Sequence, residues 1–269
     1  MQKTTLNLAA IISATLLTAC GGSSDGAAAN ALVPAPTEPN AAETAAFNAS
    51  KQRREKTSVI GDWQPYSLSA NGHIIYRVTG SRSNPVVEYD FRSLPAGFAA
   101  YNGIYTDRDG SLPVKVRSYQ GFRSGVAAAY FENNRTGYIE EYGVSTPPAA
   151  LPAAGRATYH GTAFDSNERG SLTYHVDFAA KTGQGHIDDL NKYKYGTIAL
   201  AAGKITQEKQ LDGSSETLIK GKASAATGSN LDYALTFFGN RAEEIAGYAV
   251  NGDTGEGIAL HGTRGAITE

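Results

Sequence analysis

The sequence predicts an all-β protein: an N-terminal antiparallel β domain followed by a soluble eight-stranded antiparallel up-and-down β-barrel. Three observations carry this. Thirty glycines and 15 tyrosines stand against one methionine and one tryptophan, and the glycines separate short runs of Tyr, Val, Ile and Thr, which suit a pleated, half-buried surface. Those runs alternate: Leu172, Tyr174, Val176 and Phe178 share one face, with Thr173, His175 and Asp177 opposite. Turn signals such as Asn71-Gly72 and Asp109-Gly110 fall between runs and supply positive φ cheaply.

The chain opens with Lys3, an apolar run from Leu6 to Leu17, and Leu17-Thr18-Ala19-Cys20, which contains the sole cysteine. A charged start, a short apolar run and small residues at the cut predict an export signal over 1–19. The run is too short to span a bilayer. Leu-Thr-Ala-Cys resembles a bacterial lipobox, which implies that the Cys20 thiol receives a diacylglycerol and the new amino terminus a third chain. At about 0.8 kcal/mol per buried methylene, several chains anchor a protein nearly permanently. Gly21 after the cysteine resembles lipoproteins sorted to the outer membrane.

Residues 20–56 read as the lipidated cysteine and a flexible tether. Gly, Ser, Ala, Pro, Glu and Asn dominate 21–50 and cannot bury enough surface to offset chain entropy. Lys51-Gln52-Arg53-Arg54-Glu55-Lys56 reads as a solvated domain entry or one helical turn rather than a lipid-headgroup contact. An N-terminal, ligand-facing β domain is expected over 57–146, with strands at Val59–Leu68, His73–Val78, Pro85–Phe91, Phe98–Tyr105, Leu112–Tyr119, Gly125–Phe131 and Tyr138–Val144. Ile74, Tyr76 and Val78 form its expected apolar face, against Ile75, Arg77 and Thr79. Thr146-Pro147-Pro148 and Pro152 mark a connector.

The barrel is expected over 151–267, with strands at Arg156–Phe164, Ser171–Phe178, Gly185–Leu190, Thr197–Ile205, Glu216–Ser224, Leu231–Phe238, Glu244–Val250 and Gly257–Thr263. Eight short strands suit an up-and-down barrel filled by its own side chains. Its exterior is too polar for a transmembrane barrel.

The barrel sequence resembles a family of surface lipoproteins. The likeness runs through Gly155-Arg156-Ala157-Thr158-Tyr159-His160-Gly161-Thr162-Ala163-Phe164, Gly170-Ser171-Leu172-Thr173-Tyr174-His175-Val176-Asp177-Phe178, Gly183-Gln184-Gly185-His186-Ile187 and Phe238-Gly239-Asn240-Arg241-Ala242-Glu243-Glu244-Ile245-Ala246-Gly247. It is similar to factor H binding protein, transferrin-binding protein B, the haemoglobin–haptoglobin receptor lipoprotein and hemophilin-like haem binders. Tyr119-Gln120-Gly121-Phe122-Arg123-Ser124-Gly125-Val126 resembles the strand pair before the barrel in several members. The resemblance implies a non-enzymatic, surface-exposed outer-membrane lipoprotein that binds a host protein: a complement factor H-like regulator, transferrin or haemoglobin. Only the lipidation position, Cys20, transfers residue by residue.

Composition narrows the chemistry. Net charge is −2, and −3 once residues 1–19 and their one lysine are removed, so nucleic acid is not an expected partner. One acylated cysteine leaves no thiol for catalysis, and five scattered histidines show no paired metal spacing. No catalytic residues are assigned. Gly183-Gln184-Gly185 reads as a turn, Asp107-Arg108-Asp109-Gly110 as a hairpin turn, and Glu140-Glu141 as a solvated edge with its two carboxylates on opposite sides. His160, His175 and His261 fall on polar faces and read as exposed. The alternative function is a haem carrier, with His73 as axial ligand and walls from Tyr66, Tyr76, Phe98, Tyr101, Tyr105 or Tyr119. Nine tyrosines between 66 and 142 serve either the domain core or a docking patch. The leading mechanism uses tyrosine-rich loops and edges.

Overall fold

The computed structural model describes residues 32–56, 65–81, 83–132, 135–209 and 215–269. Cys20 and the export signal lie outside these residues, as does the first part of the expected strand at Val59–Leu68.

The lead-in differs from the expected tether. Residues 41–50 form helix α1 (Ala41–Ser50) and residues 52–56 form strand β1 (Gln52–Lys56). Asn40 caps α1 in a capping box with Glu43, so local hydrogen bonding compensates for a composition poor in large side chains. Phe47 anchors the helix by stacking on Tyr142 at 6.2 Å. Before the helix, Val33 pairs with Ile267 next to the chain's end.

Seven further strands complete the first sheet: β2 (Tyr66–Ala70), β3 (His73–Ser81), β4 (Asn84–Asp90), β5 (Gly97–Asp107), β6 (Gly110–Gln120), β7 (Ser124–Tyr130) and β8 (Thr136–Gly143). Their order is β1-β4-β3-β2-β5-β6-β7-β8, and every pairing is antiparallel. The sheet curls until its two edges meet through side chains: Arg53 of β1 pairs with Glu140 of β8. An aromatic core fills the curl, with Phe91 stacked on Tyr142 at 4.4 Å and Tyr76 against Tyr138 at 4.5 Å. A bulge shifts register at Leu68/Ser69. It turns Ile75 inward beside Tyr76 and Val78 and leaves Ile74 48 % exposed, so Ile75 takes the core position expected of Ile74.

A 3₁₀ turn at Pro148–Ala150 leads into the barrel. Its strands are β9 (Arg156–Phe164), β10 (Arg169–Asp177), β11 (Thr182–Asp188), β12 (Ile198–Lys209), β13 (Ser215–Ala225), β14 (Asn230–Phe238), β15 (Glu244–Val250) and β16 (Gly257–Arg264). They form a closed antiparallel meander sealed by the β16–β9 pairing. The expected eight strands are all present. Gly183-Gln184-Gly185 lies inside β11, at a register shift rather than a turn. A Cβ at Gly183 would meet the Tyr174 ring at 2.6 Å, and one at Gly221 the Tyr233 ring at 2.5 Å. These two glycines make room for interior tyrosines, whose hydroxyls hydrogen-bond to each other at 3.0 Å.

The two units share a packed junction. Every residue of β7 is buried. Val126, Ala128 and Tyr130 pack on Phe164, Phe238, Ala246 and Ala259 of the barrel. Ala127 and Ala129 face the sheet's own core. A strand pressed between two cores favours alanine, because small side chains allow close approach on both sides.

Candidate functional site

The strand directions give the molecule two distinct ends. One carries the lead-in, where Leu32 N–H donates to Ile267 O at 2.8 Å and Arg156 N–H to Thr268 O at 2.7 Å. Up-and-down winding puts the turns after β9, β11, β13 and β15 at the opposite end. β9 has nine residues, about 30 Å of strand.

Loops of both units gather at that far end. Thr136 N–H, after the β7–β8 turn, donates to Gly255 O of the β15–β16 turn at 2.8 Å. Glu256 pairs with Lys194 of the β11–β12 loop at 2.9 Å. Asn191 of that loop donates to Glu168 Oε1 at 3.1 Å. The β5–β6 hairpin joins through Lys115, 2.6 Å from Asn167 Oδ1, and through Arg117, which donates to the carbonyls of Asn167 and Glu168 at 2.5 and 3.0 Å. Its tip is the expected turn, with Asp107 Oδ1 accepting from Asp109 N–H at 2.9 Å.

On this scaffold Leu112 is 54 % exposed and Tyr193 95 % exposed. Leu112 borders a depression of about 530 Å³ shared with Pro113, Phe131, Glu132, Arg135 and Thr136. Phe131 lies edge-on to Tyr105 at 5.6 Å. Gly137 supplies its space, since a Cβ there would meet the Phe131 ring at 2.6 Å. The result is an apolar hollow with a projecting leucine, rimmed by charges of both signs. Such a surface suits protein contact, with buried apolar anchors inside a polar rim.

A second polar cluster lies at the junction. Glu244 Oε1 accepts from Phe122 N–H at 2.9 Å, and Oε2 accepts from Arg123 N–H at 3.1 Å and Ser124 N–H at 2.8 Å. Ser124 Oγ donates to Oε2 at 2.7 Å and lies 3.0 Å from His261 Nε2, which is 3.3 Å from Oε2. Burial alone would raise the Glu244 carboxyl, but His261, Ser124 and the turn amides outweigh it and hold the group below its usual value. The three residue types of a serine triad meet here in the wrong order. Serine and carboxylate share one imidazole nitrogen, leaving no base oriented from its far side. The cluster joins the β6–β7 turn to the barrel.

Several expected positions change. His261 is buried, not exposed, because the first sheet covers the barrel's outer face at β14–β16; Tyr119 packs on its ring at 4.7 Å. His160 and His175 are exposed. Glu140 and Glu141 do point to opposite sides, yet the edge is half-buried: Glu140 meets Arg53, and Glu141 accepts from Thr236 at 3.3 Å near Glu216. The nine tyrosines include no exposed one, so they line the core and junction and supply no docking patch. His73 is exposed beside the Asn71-Gly72 turn. Of its expected haem walls, Tyr66, Tyr76 and Tyr105 cluster in the core of the first sheet, whereas Phe98 packs on Phe164 and Tyr119 on His261. The exposed anchors Leu112 and Tyr193 carry no sequence signal beyond an apolar residue near a turn.

Residues 149–249 match the family described as factor H binding protein, C-terminal. Among solved structures, the chain is similar to a point mutant of the vaccine antigen transferrin binding protein B from Actinobacillus pleuropneumoniae H49. The two are 14 % identical, with a TM-score of 0.38, over 75 % of this chain and 98 % of the other.

Proposed function

We propose that the protein is a non-enzymatic outer-membrane lipoprotein, anchored at Cys20 and exposed at the cell surface, that binds a host protein through the loop end of its two β units. The observation that carries this reading is the placement of Leu112 and Tyr193 at the end opposite Leu32, where the chain arrives from its N-terminal side. An anchor at Cys20 would leave 11 residues before Leu32 and turn that loop end toward the medium. The match of residues 149–249 to a family named for factor H binding, with the resemblance read from the sequence, points to serum proteins as the partner class, a complement regulator or an iron-carrying protein. A pull-down from host serum and haemolysate tests this. The parent chain should retain a serum or haemolysate protein, and Leu112→Asp combined with Tyr193→Ala should lose most of it. Equal retention by the variant would refute the assignment of this face.

A further inference from the structure

We propose that the outer face of the barrel binds a divalent late first-row transition ion between His160 and His175. Both histidines point to solvent from neighbouring strands. In the β9–β10 register, Thr173 lies opposite His160 and His175 opposite Thr158. The two histidines are therefore diagonal cross-strand neighbours, with backbones roughly 7 Å apart. One ion held at about 2.0–2.1 Å from each imidazole nitrogen bridges a gap of that size.

His175 is already oriented. Its Nδ1 lies 2.9 Å from Thr158 Oγ1; that contact fixes the ring and leaves Nε2 for an ion, as the outer partner of a metal-binding histidine does. Both imidazoles line a groove of about 560 Å³. Gly183, Ala202, Gly265 and Ala266 contribute little bulk to its lining. The chain's last residues wall it, held by the Arg156–Thr268 pairing. An Arg156–Asp177 ion pair at 3.0 Å closes one end. Imidazole favours zinc, copper and nickel over calcium or magnesium. Among the described residues no three histidine, cysteine or carboxylate groups converge on one point, so the ion has two protein ligands here and positions open to water or to a partner's side chain. His186 is on the far side of Thr173, pairs with Asp188 at 3.2 Å and is not among the groove residues.

Calorimetric titration of the full chain with NiCl₂ tests the site, using Cys20→Ser so that no thiol competes. The expected result is one ion per chain. His160→Ala and His175→Ala should each weaken binding at least about tenfold, and Thr158→Val, which keeps both imidazoles, about tenfold. His186→Ala should leave affinity unchanged. All three imidazoles lie outside the barrel core, so the thermal midpoint without metal should match the parent's in every histidine variant. Absence of binding by the parent, unchanged affinity in His160→Ala or His175→Ala, or an equal loss in His186→Ala would overturn the proposal.

Discussion

Glu244 gathers three consecutive turn amides, a hydroxyl and an imidazole on one buried carboxylate. Removing it strands buried donors that solvent cannot reach. Glu244→Ala should cost about 3 kcal/mol, measured by chemical denaturation. Its depressed pKa also sets a sign. The stability it contributes is fully present above its unfolded value of 4.5 and is lost as pH falls through its lower folded value. Glu244→Gln should therefore flatten the loss of stability below pH 4.5. Gly121 is the matching small residue: a Cβ there would meet Glu244 Oε2 and His261 Cε1 at 2.7 Å. Both halves of this contact, Glu244 and the 119–126 stretch, stand in motifs that resemble the family, but no local pattern says that they touch. Such a contact arises only when one strand pair closes on another.

Individual elements were legible wherever one face was wet. The alternation from Leu172 to Phe178 marks β10 because its outer residues meet water, and the Asp109-Gly110 signal marks the β5–β6 turn. Legibility failed where a second layer covered the polar face, as at His261, and where a bulge broke the period, as at Ile75. β7 tests the double burial directly. Ala128→Leu should destabilise by about 1–3 kcal/mol through overpacking, whereas the same change at exposed Ala100 should be nearly neutral. β8 tests the seam. Burial, then the neighbouring Glu141, pushes Glu140 up to about 8 against the opposing pull of Arg53. Burial, then Glu216, pushes Glu141 up to about 7. A raised carboxyl contributes stability fully below its unfolded 4.5 and loses it as pH rises through the folded value. The thermal midpoint should thus carry a downward contribution between about pH 4.5 and 8. Glu141→Gln should raise the midpoint more at pH 8 than at pH 5, and an equal shift at both would contradict the assignment.

At the scale of the molecule, the lead-in and the loops sit at opposite ends of one continuous structure. The lead-in is strapped to both units: Arg264 Nη1 donates to Pro34 O at 2.8 Å, and Arg123 donates to Thr37 O at 3.2 Å and pairs with Glu43 at 3.4 Å. Composition concealed this strap, because residues 32–43 hold it with backbone carbonyls, a cap and two distant arginines. The lead-in so held leaves the loop end turned away from residue 32. Hydrogen exchange on the chain with its captured serum or haemolysate protein reads that arrangement directly. Protection should rise at residues 104–112, 131–132 and 189–196 and stay level at 178–181 and 239–243. Protection confined to the lead-in end, or spread over the outer wall of the barrel, would contradict it.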